Sequence, residues 1–456
     1  MASILRRKDT DMTQGSIPRL LIGFAIPLLI GNLFQQLYNT VDSVVVGNFV
    51  SKQALAAVGC TGPIINMLIG VFMGFSSGAG VVISQFYGAK DEEKLHDSVQ
   101  TAVTLTLLLC VVLTAIGVTA TPLMLRLMDT PEDVFPEAVQ YLRIYFGGMS
   151  GMLVYNIGSG ILRAVGDSTR PLYFLIFSTL LNTVLDVVFV RFFSWGIAGA
   201  AWATVIAQCL SAILVMLLLS RAQTAYRVDY RHLRLHRSIL RKICAIGVPS
   251  ALQMGITAFS NVFVQSYVNR FESSCMAGWA AYNRIDAFAM LPLMSLSLSI
   301  TTFVGQNLGA GDYGRARSAP RVGMLMGLVI MAVILTPLMI FAPTLVKLFN
   351  GDAEVIRYGT WFIRVISPFY LTFAANQVYM GVLRGAGNTR TTMFVSLGSF
   401  VLFRQVYLYI SYHLGGGLTA VTLGYPVGWV LCTVLLSAYY HGRHNTLLYP
   451  ERAAAE

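Results

Sequence analysis

The sequence predicts an all-α polytopic membrane protein: twelve transmembrane helices in two six-helix lobes related by a parallel internal repeat. Three observations predict it: a charge content half that of a soluble domain, long apolar runs, and a match of the chain to itself. Of 456 residues, 55% are hydrophobic and 12% charged, with a mean hydropathy of +0.66. Soluble domains carry about 25% charged residues, so this chain has too little polar material to cover a surface facing water. A helix needs about 20 apolar residues to cross the hydrocarbon core, and the chain supplies many such runs.

Taken in order, the runs are bounded by Gly, Pro and charged residues. The first six spans are 18–48, 55–84, 98–121, 137–161, 171–193 and 196–220; polar stretches such as DEEK (91–94) and PED (131–133) separate them. An Arg-rich stretch, 221–242, comes next. The last six spans are 240–268, 277–305, 319–343, 358–382, 391–412 and 417–440. The domains expected are therefore an N-terminal lobe (1–220), a cytoplasmic basic linker (221–242) and a C-terminal lobe (243–456). The linker reads as a helix lying on the cytoplasmic face with its basic side on anionic lipid.

Orientation comes from the basic residues, which concentrate on the cytoplasmic side. With the N-terminus inside, 22 of the 32 Lys and Arg residues fall on inside segments and six on outside loops. Both termini are expected in the cytoplasm of a plasma-membrane protein. The net charge of +11 is thus accounted for by inside loops rather than by nucleic acid. The N-terminal sixteen residues lack an apolar core with a cleavage site, so no cleaved signal peptide is read there. The six cysteines form no CxxC pair and lie in or near apolar runs, which predicts neither a disulfide framework nor a metal site.

The self-match appears at an offset of 221 residues. QFYGAKD (85–91) falls on QNLGAGD (306–312), Pro122 on Pro343, and Leu162, Arg163 and Gly166 on Leu383, Arg384 and Gly387. One offset holding over more than a hundred residues, with six spans between equivalent positions, is a parallel repeat of the kind found in two-lobed transporters.

Carboxylates at membrane depth are costly and so mark functional positions. Asp42, Asp186 and Asp286 sit well within spans. Asn32, Gln35, Asn39 and Asp42 form a polar stripe down one helix face. Asn182 and Asp186 are neighbours four apart, as are Thr204 and Gln208. Asp42, Asp186 and Thr204 all fall in the outer half of the membrane, where they could meet. Such a cluster suits H⁺ binding, or Na⁺ binding at Asp42 and Asp186. Asp286 has Arg284 close by as a candidate neutralising partner. At the repeat offset Asn182 becomes Phe403 and Asp186 becomes Tyr407, so the cluster is confined to the first half.

FAIPLLIGNLFQQLYNTVDSVVVG (24–47), QFYGAKD, GILRAVGDSTRP (160–171) and GVLRGAGNTR (381–390) resemble the MATE family of multidrug and toxic compound extrusion transporters, over nearly the whole chain. The resemblance implies a cation site formed by an Asp of span 1, an Asn and an Asp of span 5 and a Thr of span 6; here these are Asp42, Asn182, Asp186 and Thr204. Gln35, Asn39, Asp286 and Arg284 are auxiliary candidates. The family's other branch carries acids in spans 7 and 10, where this chain has Thr257 and Ala374. The resemblance further implies antiport: small, cationic or amphipathic compounds leave in exchange for H⁺ or Na⁺, by lobes rocking about a central cleft, with Pro27 allowing span 1 to bend. The chain is expected to act as a monomer among membrane lipids, with no nucleic-acid partner, no enzymatic activity and no cofactor beyond the transported cation. A flippase for lipid-linked saccharides is the alternative. An intramembrane aspartyl protease is disfavoured, because no YD motif occurs and the GAGD at 309–312 lies in a loop.

Overall fold

The computed structural model describes residues 10–448; within them, side chains are described except at 39, 41–44, 47, 48, 52, 55, 63, 66, 262 and 444–448. The described residues form twelve long helices. They are α1 (Ile17–Phe49), α2 (Lys52–Gly88), α3 (Glu92–Leu127), α4 (Phe135–Ala164), α5 (Thr169–Phe192), α6 (Gly196–Ser220), α7 (Arg237–Val268), α8 (Ser273–Gly309) and α9 (Tyr313–Ile340). After a short helix, Ala342–Lys347, come α10 (Ala353–Ile366 and Tyr370–Gly385, joined by one 3-10 turn), α11 (Thr389–His413) and α12 (Gly417–Leu448). Ten of the twelve, all but α4 and α10, hold stretches long and apolar enough to cross a membrane. Their outward faces are apolar: Val111, Leu123, Leu325, Val333, Phe394 and Leu402 are each at least 60% exposed.

The helices start where the sequence caps them. Ser51, Asp91, Asp312 and Asp352 each accept a backbone N–H of the next turn, satisfying donors that a helix start leaves open. The two halves of the aligned QFYGAKD and QNLGAGD segments therefore perform one task, since Asp91 caps α3 and Asp312 caps α9. The aligned Gly166 and Gly387 also share a role. Both have positive φ (91° and 79°), and a Cβ on Gly166 would stand 2.0 Å from the Thr10 carbonyl oxygen.

The chain groups into two compact units. One holds Ile26–Gly247; the other holds Met12–Ala25 together with the chain from Val248 onward. In the first, α4 lies against α2, α3 and α6. It is less apolar than its neighbours because it spends positions on glycine. A Cβ at Gly148, Gly151 or Gly158 would stand 2.2–2.7 Å from Val205, Cys209 or Val215 of α6, so the helices meet nearly backbone to backbone. In the second unit α10 lies along α8 in the same way, with Gly381 and Gly385 against the Ser297 and Thr301 carbonyls.

The unit edges fall inside helices. In α1 the edge precedes Ile26 and Pro27; in α7 it lies between Gly247 and Val248, one residue before Pro249. The first stretch, 12–25, is tied into the second unit: Ser299 Oγ donates to the Leu21 carbonyl (3.0 Å), Met12 N donates to Gln306 Oε1 (3.1 Å), and Asn307 Nδ2 donates to the Met12 carbonyl (3.1 Å). Conversely, the start of α7 is tied into the first unit, where a Cβ on Gly78 would meet Gly247 Cα at 2.6 Å.

The linker is not the surface helix expected. Residues 221–236 run as turns and extended chain against the first unit. Tyr226 and Val228 are buried, Gln100 Nε2 donates to the Arg227 carbonyl, and His236 N donates to Thr101 Oγ1. Those anchors lie on no single helical face. Asp229 turns the chain instead, accepting from Arg231 N and pairing with His232. The His232 partner is the main cause holding the Asp229 carboxyl below the usual carboxylate range.

Candidate functional site

In the first unit, α5 and α6 bring together three of the expected site residues. Asn182 and Asp186 are fully buried and Thr204 is 5% exposed. With its amide oriented to satisfy both neighbours, Asn182 donates to Asp186 Oδ2 (3.0 Å) and accepts the Thr204 backbone N–H (3.2 Å). The spacing of four places Asn182 one turn above Asp186 on the same face of α5, and the small residues opening α6 (GIAGAAWAT) let that helix approach. Immediately after Asp186 the helix widens into a π segment, Val187–Phe192. A π turn costs hydrogen-bond quality and is retained mostly at functional positions.

Tyr38 of α1, absent from the expected set, completes the arrangement by donating its hydroxyl to Thr204 Oγ1 (3.0 Å). The sequence holds a signal for it. Tyr38 lies three residues after Gln35 and four before Asp42, on the polar face, but its ring counts as apolar. Gln35 is exposed. Asn39 and Asp42 lie on α1, and their side chains fall outside the described residues.

In the second unit, Arg284 does not neutralise Asp286. It is exposed, and among the described residues no ion pair joins them. At one turn's rise per 3.6 residues, positions two apart point to nearly opposite sides of a helix. Asp286 instead accepts from Tyr282 Oη (3.1 Å) and Tyr370 Oη. In the helix equivalent to α5, the buried charge is of opposite sign. Arg404 of α11, 3% exposed and directly after a π segment (Gly398–Phe403), donates to Ser260 Oγ (2.8 Å) and Asn261 Oδ1 (2.9 Å). Its guanidinium lies 4.8 Å from the ring of Tyr425, the residue at the position equivalent to Thr204. Composition alone marks Arg404 only as a charge within a span.

Twelve helices in two repeated bundles, with ionisable side chains held inside them, define a polytopic membrane transporter. The MatE profile matches residues 27–188 and 249–410, one copy in each half. The chain belongs to this family, the MATE transporters. It is 30% identical over 435 residues to the probable multidrug resistance protein YoeA of Bacillus subtilis, covering 93% of this chain and 94% of that one. An FAD transporter of Shewanella oneidensis is 25% identical, covering 85% and 86%. A crystal structure of MATE in the bent conformation matches with a TM-score of 0.91 at 23% identity, covering 98% of this chain and all of that one; at that identity the likeness carries the fold alone.

Proposed function

We propose that this chain is a secondary antiporter that exports small, cationic or amphipathic organic compounds across the plasma membrane in exchange for H⁺ or Na⁺. Asp42 and Asp186 are the coupling carboxylates, and Asn182 and Thr204 position them. The observation that carries the reading is the fully buried Asp186–Asn182 pair beside Thr204. A carboxylate in an apolar bundle, held by an amide and with hydroxyl groups one helix away, is a place where a single cation changes the local charge from minus one to zero. Relatives named for multidrug resistance support the substrate class. The lobes 1–220 and 243–456 would rock about a central cleft, with 221–242 joining them and both termini in the cytoplasm. The chain acts as a monomer, and its lipid contacts are the apolar outward faces.

Energetically, one charge falling through ~100 mV yields ~2.3 kcal/mol. At ~1.4 kcal/mol per tenfold, that sustains more than a tenfold gradient of cargo. The test is ethidium efflux from cells lacking their own major pumps, comparing wild type, Asp42→Asn and Asp186→Asn at matched expression. Wild-type efflux lost in both variants supports the reading; efflux equal in all three removes the coupling role. A wild type that moves no cationic dye but moves a lipid-linked saccharide or a flavin nucleotide shows that the cargo class is wrong.

A further inference from the structure

The second unit holds a carboxylate to which the antiport reading gives no task. Asp286 lies near the middle of α8. Tyr282, one turn earlier on the same face, and Tyr370, at the start of the second segment of α10, both donate to its Oδ1. Their rings are 3% and 0% exposed and sit in an aromatic core, where Trp279 stands 5.0 Å from Phe362 and Tyr370 5.9 Å from Trp429, centroid to centroid. The titratable groups facing Asp286 are Tyr282 on its own helix, Tyr370 from α10 and Tyr425 from α12. Arg404 of α11, a buried cation of the same unit, lies over the Tyr425 ring, and one of its terminal nitrogens donates to Ser260 and Asn261 of α7. Arg284 and Arg364 are exposed, and among the described residues no ion pair reaches Asp286.

An isolated carboxylate inside an apolar bundle requires a compensating positive charge or a proton. Among the described residues no side-chain cation supplies that charge. Ca²⁺ and Mg²⁺ take six or more oxygen ligands, and this pocket offers one carboxylate and two phenols whose protons already point at Oδ1. What remains open is Oδ2, to which no described group donates, on a residue that keeps partial exposure. The geometry fits one small occupant.

We propose that Asp286 is a second proton carrier, in the C-terminal unit, with Oδ2 as the protonated atom. Protonation forms one O–H bond at Oδ2, taking the proton from water, and deprotonation returns it to water; Tyr282 and Tyr370 donate to Oδ1 in both states and hold the carboxyl in place. The repeat explains why this acid stands on α8. Position for position, the α5 site of the first half becomes Phe403, Tyr407 and Tyr425, so an acid of that type is missing from the second half. Asp286 itself corresponds to Ile65, and the two acids therefore occupy unrelated places in the repeat. Use of this proton in transport rests on the antiport reading; its presence on Asp286 does not.

The test is infrared difference spectroscopy of the full-length protein in liposomes, cycled between acidic and alkaline buffer. A protonated-carboxyl stretch that is present in wild type and Asp186→Asn and lost in Asp286→Asn is the expected result. Tyr370→Phe, which deletes one donor to the ionised form, keeps the band and moves the pH at which it vanishes upward by about one unit. Should Asp286→Asn fail to fold, that shift decides the matter. A band unchanged in Asp286→Asn, unmoved in Tyr370→Phe, or responding to Na⁺ but not to pH overturns the proposal. Dye efflux by wild type in the same liposomes is a separate readout: the band without efflux removes the export reading and leaves the Asp286 proton standing.

Discussion

Replacing Asn182 by Leu keeps the approximate volume of a fully buried side chain but deletes its donation to Asp186 Oδ2 at 3.0 Å. A hydrogen bond to a charged group contributes about 1.5–3 kcal/mol. The Asn182 N–H favours the ionised carboxylate over both the protonated and the cation-bound forms of its neighbour, so its loss must appear in the coupling. If the coupling ion is H⁺, the pH of half-maximal efflux should rise by about one to two units, since one unit corresponds to about 1.36 kcal/mol. If it is Na⁺, the same loss favours the cation-bound form, and the Na⁺ concentration for half-maximal efflux should fall by about one to two powers of ten. The assay is dye transport in proteoliposomes with the pH gradient and the Na⁺ gradient imposed separately, after melting has shown the variant to be folded. Efflux with wild-type dependence on both ions would refute the reasoning, because a buried donor to a coupling carboxylate cannot be energetically silent.

Two further predictions concern packing. Gly151→Val should destabilise the first unit by at least the roughly 1–3 kcal/mol typical of overpacking, because its Cβ would stand 2.7 Å from Cys209 N on α6; Gly147→Ala, with nothing within 4 Å, should melt like wild type. Arg404→Lys should lower the melting temperature in detergent more than Arg404→Met. Lysine keeps the buried charge but gives up the guanidinium's seat over the Tyr425 ring and the terminal nitrogen that donates to both Ser260 and Asn261, whereas methionine also removes the cost of burying the charge. The reverse order would show that the guanidinium's charge, rather than its geometry, is what the site requires.

The helices are legible because lipid imposes one simple rule, that about twenty apolar residues make a span, and each of the twelve expected runs falls largely on a helix, although 319–343 overruns the end of α9 at Ile340. The expected runs stop short of the true ends wherever a polar turn continues the helix, as from 98 back to Glu92 behind its Asp91 cap. Asn182, Asp186 and Thr204 are legible from spacing and sign. Tyr38 is not, because a phenol on a polar stripe scores as apolar until its hydroxyl has a partner. One partner of Asp286 comes from α10, 84 residues away in the case of Tyr370, and no local pattern connects them. Arg284, the neighbour in sequence, misleads for the same reason. The linker fails as a helix because its buried residues, Tyr226 and Val228, do not repeat at helical spacing.

The helix starts that cross between units bear on how the chain is made. Met12–Ala25 leaves the ribosome before the rest of its unit, and Leu21 waits for Ser299, 278 residues later, to receive its hydrogen bond. At about 5–20 residues per second, that wait is roughly 15–55 s. The first unit in turn is finished only when the opening turns of α7 arrive from beyond the linker. Neither half can complete its own packing from its own stretch of chain. Insertion of this protein therefore cannot end half by half; a segment that precedes the first unit in the chain is seated only with the second.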